Sequence, residues 1–90
     1  FVALVAEALA DGAVAAGLPR PQAQHLAQRT LAGTAALPEQ RQLHPGQLKD
    51  MVSSPGGTTI AGIRCLEQAG LRSALIEAVL AAAERSRQLA

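Results

Sequence analysis

The stretch SSPGGTTIAG, Ser53 to Gly62, decides how this chain is read. Two hydroxyl residues, a proline, two glycines and two threonines run into an apolar helical pattern of Ile60, Ile63 and Leu66. No strand pattern precedes it, so the stretch is a turn that opens a helix and not one that joins strands. The first N–H groups of a helix lack partners within it, the macrodipole places partial positive charge there, and glycine lets a ligand approach the backbone. That combination suits a small anion. The plainer alternative is an N-cap, with Thr58 or Thr59 accepting from its own helix around a Pro55-Gly56-Gly57 turn. A nucleotide P-loop is excluded because no lysine and hydroxyl follow the glycines; a dinucleotide fingerprint is excluded by the missing strand and the glycine spacing. The ligand class this leaves is a small carboxylate or phosphate.

Outward from the loop, the pattern is helical in both directions. Downstream, Thr59 to Ala69 predicts a helix with Ile60, Ile63 and Leu66 inward, closed by Gly70. Leu71 to Leu89 predicts another, apolar over more than half its circumference and hence expected to be buried on two sides. Cys65 reads as a small buried hydrophobe. Upstream, His44-Pro45-Gly46 leads into a short helix, Gln47 to Val52. His44 is weighed as a general acid against a turn residue bonded to backbone, and the turn is favoured. Lys49 and Asp50 read as a solvated pair, with an anchor for the loop as the alternative for either.

Before that, Pro21 to Leu37 predicts a helix with the stripe Leu26, Thr30, Gly33 and Leu37, ended by Pro38, with Glu39 to Leu43 as loop. His25 lies off that stripe, on the surface. Phe1 to Ala16 predicts the first helix on the stripe Val2, Val5, Leu9, Ala13 and Ala16, stopped by Gly17-Leu18-Pro19. Glu7 and Asp11, four apart on one face, are weighed for acid/base work against a solvated edge or a salt-bridge partner across an interface, and the latter is favoured. The expected architecture is all-α, four main helices plus one short helix in a single small domain, residues 1–90.

Composition narrows the function classes. Of 90 residues, 49% are hydrophobic, alanine is the commonest of them, and Phe1 is the only aromatic. Small side chains allow close helix approach and bury little area, so the chain is expected to complete its core on a partner. Net charge is +1 with the charges scattered singly, which gives nucleic acid neither a basic stripe nor a stacking platform. One cysteine makes no internal disulfide or thiolate metal site and points to a reducing, cytoplasmic setting. Glu7 and Asp11 interrupt the opening apolar run, so neither a signal peptide nor a membrane span is expected. The pattern begins without a capping residue before Phe1, which predicts a longer helix and a preceding domain.

The segment HPGQLKDMVSSPGGTTIAGIRCLE, His44 to Glu67, resembles the signature region of the pyrroline-5-carboxylate reductases. The matching positions are Leu48, Val52, Ser53, Ser54, Gly56, Gly57, Thr59, Gly62, Ile63, Leu66 and Glu67. EALADGAVAAGLP at Glu7–Pro19 and GLRSALIEAV at Gly70–Val79 are similar to flanking helices of that family, so the resemblance covers nearly the whole chain. Its wording is nearest the animal enzymes, the cytosolic isoform among them. The resemblance implies a carboxy-terminal dimerisation domain following a Rossmann-type domain that is absent from these residues. It also implies helices interlocking in a homodimer, a larger ring of dimers, and reduction of 1-pyrroline-5-carboxylate to proline with NADH or NADPH. On that reading Ser54, Gly56, Gly57, Thr58 and Thr59 hold the substrate carboxylate, no catalytic acid or metal ligand lies in the chain, and the 90 residues alone are inactive. Two alternatives remain: a non-catalytic helical dimerisation module, or a domain that senses a small anion.

Overall fold

The computed structural model describes residues 1–52 and 57–90, with the side chain of Val52 also outside the description. Its elements are α1 (Val2–Ala15), α2 (Arg20–Arg41), α3 (Pro45–Val52), α4 (Thr58–Gln68) and α5 (Leu71–Leu89). No strand occurs among the described residues, and the all-α expectation of four main helices and a short one holds. The chain divides into two compact units, Phe1–Leu48 and Lys49–Ala90.

In the first unit α1 stops as its sequence predicts. Gly17 takes φ +115°, the Leu18 N–H donates to the Ala13 carbonyl at 3.0 Å, and the Gly17 N–H donates to that of Val14 at 2.9 Å. This is the paired bonding of a Schellman stop, which only glycine enters without strain. The chain returns as α2, and Arg20 Nη1 meets Asp11 Oδ1 at 2.6 Å beside the turn. Asp11 is therefore a salt-bridge partner.

Two expectations fail in α2. Pro38 lies inside the helix, which continues through Glu39 to Arg41, residues expected as loop. A proline removes one intrahelical donor and crowds the carbonyl four residues back; so close to the end of a 22-residue helix, that loss is local. The actual stop is Gln42, left-handed at φ 53°, ψ 41°, with the Pro38 carbonyl accepting from the N–H groups of Gln42 and, at 3.0 Å, Leu43.

The buried stripes also differ from those expected. The core is Ala10, Ala23 and Ala27, with Ala13 and Val14 packed against it, whereas Val2, Leu9 and Leu26 are about half exposed or more. Helical spacing placed Val2, Leu9 and Leu26 on the inward stripes together with Ala13, and of these Ala13 is the one that packs on the core. Close helix approach needs small side chains, so α1 and α2 meet alanine on alanine and turn their large side chains outward.

In the second unit α4 and α5 are joined by Gly70 at φ +77°, and Arg72 Nε meets Glu67 Oε1 at 2.8 Å across the turn. Neither helix has a buried residue. Cys65, expected buried, is exposed; none of the described residues covers its face of α4. The same holds for α5, whose Leu75, Ile76, Val79 and Leu80 line a shallow apolar hollow. Among the described residues no helix is long and apolar enough to cross a membrane.

The accessible surface is 7167 Å² for a 9.2 kDa chain, against about 4,900 Å² for a folded monomer of that mass and about 5,900 Å² for two separate units of half the mass.

Candidate functional site

The start of α4 is the feature toward which the sequence pointed. Gly57 is its N-cap, in extended conformation at φ −82°, ψ 174°, and among the described residues no side chain caps the helix. Thr58 and Thr59 stand in the first turn, both exposed. The first intrahelical bond runs from the Ala61 N–H to the Gly57 carbonyl at 3.2 Å, so the amides of Thr58, Thr59 and Ile60 have no partner within the helix. The cap in which a threonine accepts from its own helix is not what forms; α4 opens one residue earlier than expected, with both threonines inside it. Gly57, Thr58 and Thr59 thus share one helix start. Ser54 and Gly56, the other two expected substrate contacts, lie outside the described residues.

Chemically, such a terminus offers parallel N–H donors, the positive end of the macrodipole and two hydroxyls, a set that fits an oxygen-rich anion. It brings no general acid or base. Among the described residues no group of three His, Cys, Asp or Glu is placed to hold a metal ion.

Upstream, α3 begins with an arrangement that sequence reading only half captured. His44 is a turn residue, and its imidazole Nδ1 accepts from the Gly46 N–H at 3.0 Å while the Gln47 Oε1 accepts from the His44 N–H at 2.8 Å. This is a reciprocal capping box with histidine at the cap and glutamine three residues on. An acceptor at Nδ1 places the proton of the neutral ring on Nε2. The signal was present in proline at the first helical position and glutamine at the third, and histidine in place of serine or threonine hid it. Lys49 and Asp50 pair at 3.2 Å on the exposed side of α3. His25 is exposed, as expected.

An all-helical domain whose buried residues, among those described, are all alanines and which turns Phe1, Leu4, Leu26, Ile76, Val79 and Leu80 outward is by its construction an association module. Comparison with known proteins makes the class particular. The family model described as pyrroline-5-carboxylate reductase dimerisation matches residues 1–89, and the chain belongs to that family. It is 61% identical over 89 residues to a pyrroline-5-carboxylate reductase of Synechocystis and 58% identical over 89 residues to one of Glycine max. Each match takes in 99% of this chain, against 33% and 32% of the relative. A crystal structure of Plasmodium falciparum pyrroline carboxylate reductase with NADP bound superposes with a TM-score of 0.90 at 35% identity, over 94% of this chain and 32% of that one. The chain therefore spans about a third of the length of the proteins it matches.

Proposed function

We propose that this chain is the carboxy-terminal dimerisation and substrate-binding domain of a reductase that converts 1-pyrroline-5-carboxylate to L-proline, the last step of proline biosynthesis. NADH or NADPH is held mainly by a preceding Rossmann-type domain, a reading supported by the similar Plasmodium falciparum structure with NADP bound, of which this chain matches 32%. The observation that carries the reading is the uncapped start of α4. The substrate's one strong handle is its carboxylate, and the amides near Gly57 and Thr58 with the Thr59 hydroxyl are the donors that suit it. Ser54 and Gly56 belong to the same clamp. Fixing the carboxylate sets the orientation of the five-membered ring and the distance of its imine carbon from the hydride donor, and positioning of that kind supplies much of a rate gain. The Thr59 hydroxyl is also suited to reach the ring nitrogen, which takes its proton from solvent.

The intact protein works as a homodimer built through these helices, with dimers assembling into a larger ring. The outward apolar faces and the surplus accessible surface support a second copy as the missing part of the core. A lone free thiol, Cys65, supports a reducing compartment such as the cytoplasm.

The test is Thr59→Ala in the full-length enzyme. Loss of one hydroxyl from a charged group costs about 1.5–3 kcal/mol, roughly ten- to a hundredfold in kcat/KM for the imine, with the cofactor KM unchanged. Unchanged efficiency together with a lowered Tm would show that Thr59 only supports the helix, and the non-catalytic module would be the better reading.

A further inference from the structure

The bonds that open α3 include one whose acceptor takes up protons. The eight residues of α3 form about two turns, too few to persist in water unaided. Burial does little to hold them: Gly46 and Leu48 are half-buried, while Gln47, Lys49, Asp50 and Met51 are exposed. The first turn therefore depends on local bonds, all of them between His44 and Leu48. His44 Nδ1 accepts from the Gly46 N–H at 3.0 Å, and Gln47 Oε1 accepts from the His44 N–H at 2.8 Å. The His44 carbonyl accepts from the N–H groups of Gln47 at 2.9 Å and Leu48 at 3.2 Å. Of these acceptors only the imidazole belongs to a side chain that changes charge between about pH 5 and 8. The ring also fits closely: a Cβ added to Gly46 would come within 3.2 Å of its Nδ1.

We propose that His44 is a proton-operated cap, which closes the first turn of α3 while its imidazole is neutral and releases it when Nδ1 is protonated. A proton on Nδ1 turns the acceptor into a donor, so two N–H groups face each other where the bond was. The imidazolium charge is then also set at the N-terminal end of a helix, where the macrodipole disfavours a cation. Nothing on the flanking helix ends offsets this. The charged residues there are Glu39 and Arg41 in the last turn of α2 and Lys49 and Asp50 on α3, all exposed. Lys49 and Asp50 pair with each other at 3.2 Å, and among the described residues the imidazole has no polar partner but the Gly46 N–H. The turn is therefore closed toward pH 8 and opens as pH falls toward 5.

The experiment is hydrogen–deuterium exchange of the full-length protein at about pH 7.5 and about pH 5.5, corrected for the intrinsic pH dependence of amide exchange and read at the amides of Gly46, Gln47 and Leu48. In wild type their protection is expected to fall about two- to thirtyfold at the lower pH, the range set by loss of a capping bond. The Leu18 amide, bonded at the end of α1, is the internal reference and is expected to hold its protection. Asparagine supplies a short oxygen acceptor that does not titrate, so His44→Asn stays protected at both pH values. His44→Ala is weakly protected at both. His25→Asn, at the other histidine of the chain, keeps the wild-type pH dependence. Equal wild-type protection at the two pH values overturns the inference. So does an equal fall at Leu18, which marks a general loosening, or a His44→Asn variant that loses protection as wild type does, which assigns the effect to another group. Should His44→Ala not fold, wild type and His44→Asn decide between them.

Discussion

Replacing Ile76 and Leu80 of α5 by glutamate is expected to separate the copies of this chain. Leu75, Ile76, Val79 and Leu80 are 41%, 59%, 57% and 57% exposed, so their uncovered parts together equal about two whole aliphatic side chains. At about 1.5–3 kcal/mol for each such side chain, covering them stabilises a complex by roughly 3–6 kcal/mol per copy, and a two-fold interface counts this twice. Ile76→Glu/Leu80→Glu removes more than half of that and places two carboxylates on the face to be covered. A net loss of about 4 kcal/mol is a conservative expectation, and it weakens the dissociation constant about a thousandfold. The helical content of each copy is expected to fall with it, because neither α4 nor α5 has a buried residue of its own. Sedimentation velocity and far-ultraviolet circular dichroism of the 90-residue chain, wild type against variant, read both effects. A folded wild-type monomer of 9.2 kDa, or a double variant that associates as tightly as wild type, would refute the reasoning.

Three further outcomes follow from the helix ends and the alanine core. Gln42→Gly relieves a left-handed residue at φ 53° and is expected to raise stability by about 1 kcal/mol in urea unfolding; no gain would mean that the Gln42 side chain contributes as much as the strain costs. Gly70→Ala meets no neighbouring atom within 4 Å yet sits at φ +77°, so backbone strain alone sets its expected cost of about 1–2 kcal/mol, measured by thermal unfolding. Ala23→Leu forces three extra carbons into the α1–α2 contact, where Ala23 is 1% exposed; it is expected to destabilise by about 1–3 kcal/mol, whereas Leu26→Ala, on the exposed side of the same helix, costs the unassociated chain little.

Much of the secondary structure was legible because its signals are local. Gly17-Leu18-Pro19 and Gly70 marked helix ends where a positive φ is needed, and apolar spacing marked the helices between them. The family match, by contrast, runs over residues 1–89 and so draws on the helices flanking the loop as well as on the loop itself. The site was legible as a kind of helix start, and its uncapped form at Gly57 appeared only in the structure. Pro38 was misread as a stop because a helix near its end tolerates the loss of one donor, and the left-handed residue that does stop it, Gln42, carries no sequence mark of that conformation.

Which face of each helix turns inward was not a local property. Periodicity shows that a helix has an apolar stripe, but choosing between the stripe of large residues and the stripe of alanines depends on how closely two helices approach, and that distance exists only once they pack. In α1 and α2 the alanines won, since only they let the backbones come together. The sequence by itself determined an all-helical chain, the places where its helices turn, and a glycine-threonine helix start suited to an anion. Tertiary structure decided that Leu26 faces outward, because the α1–α2 contact closes on alanines, and that Ile76 and Leu80 stay exposed, because no described residue covers them.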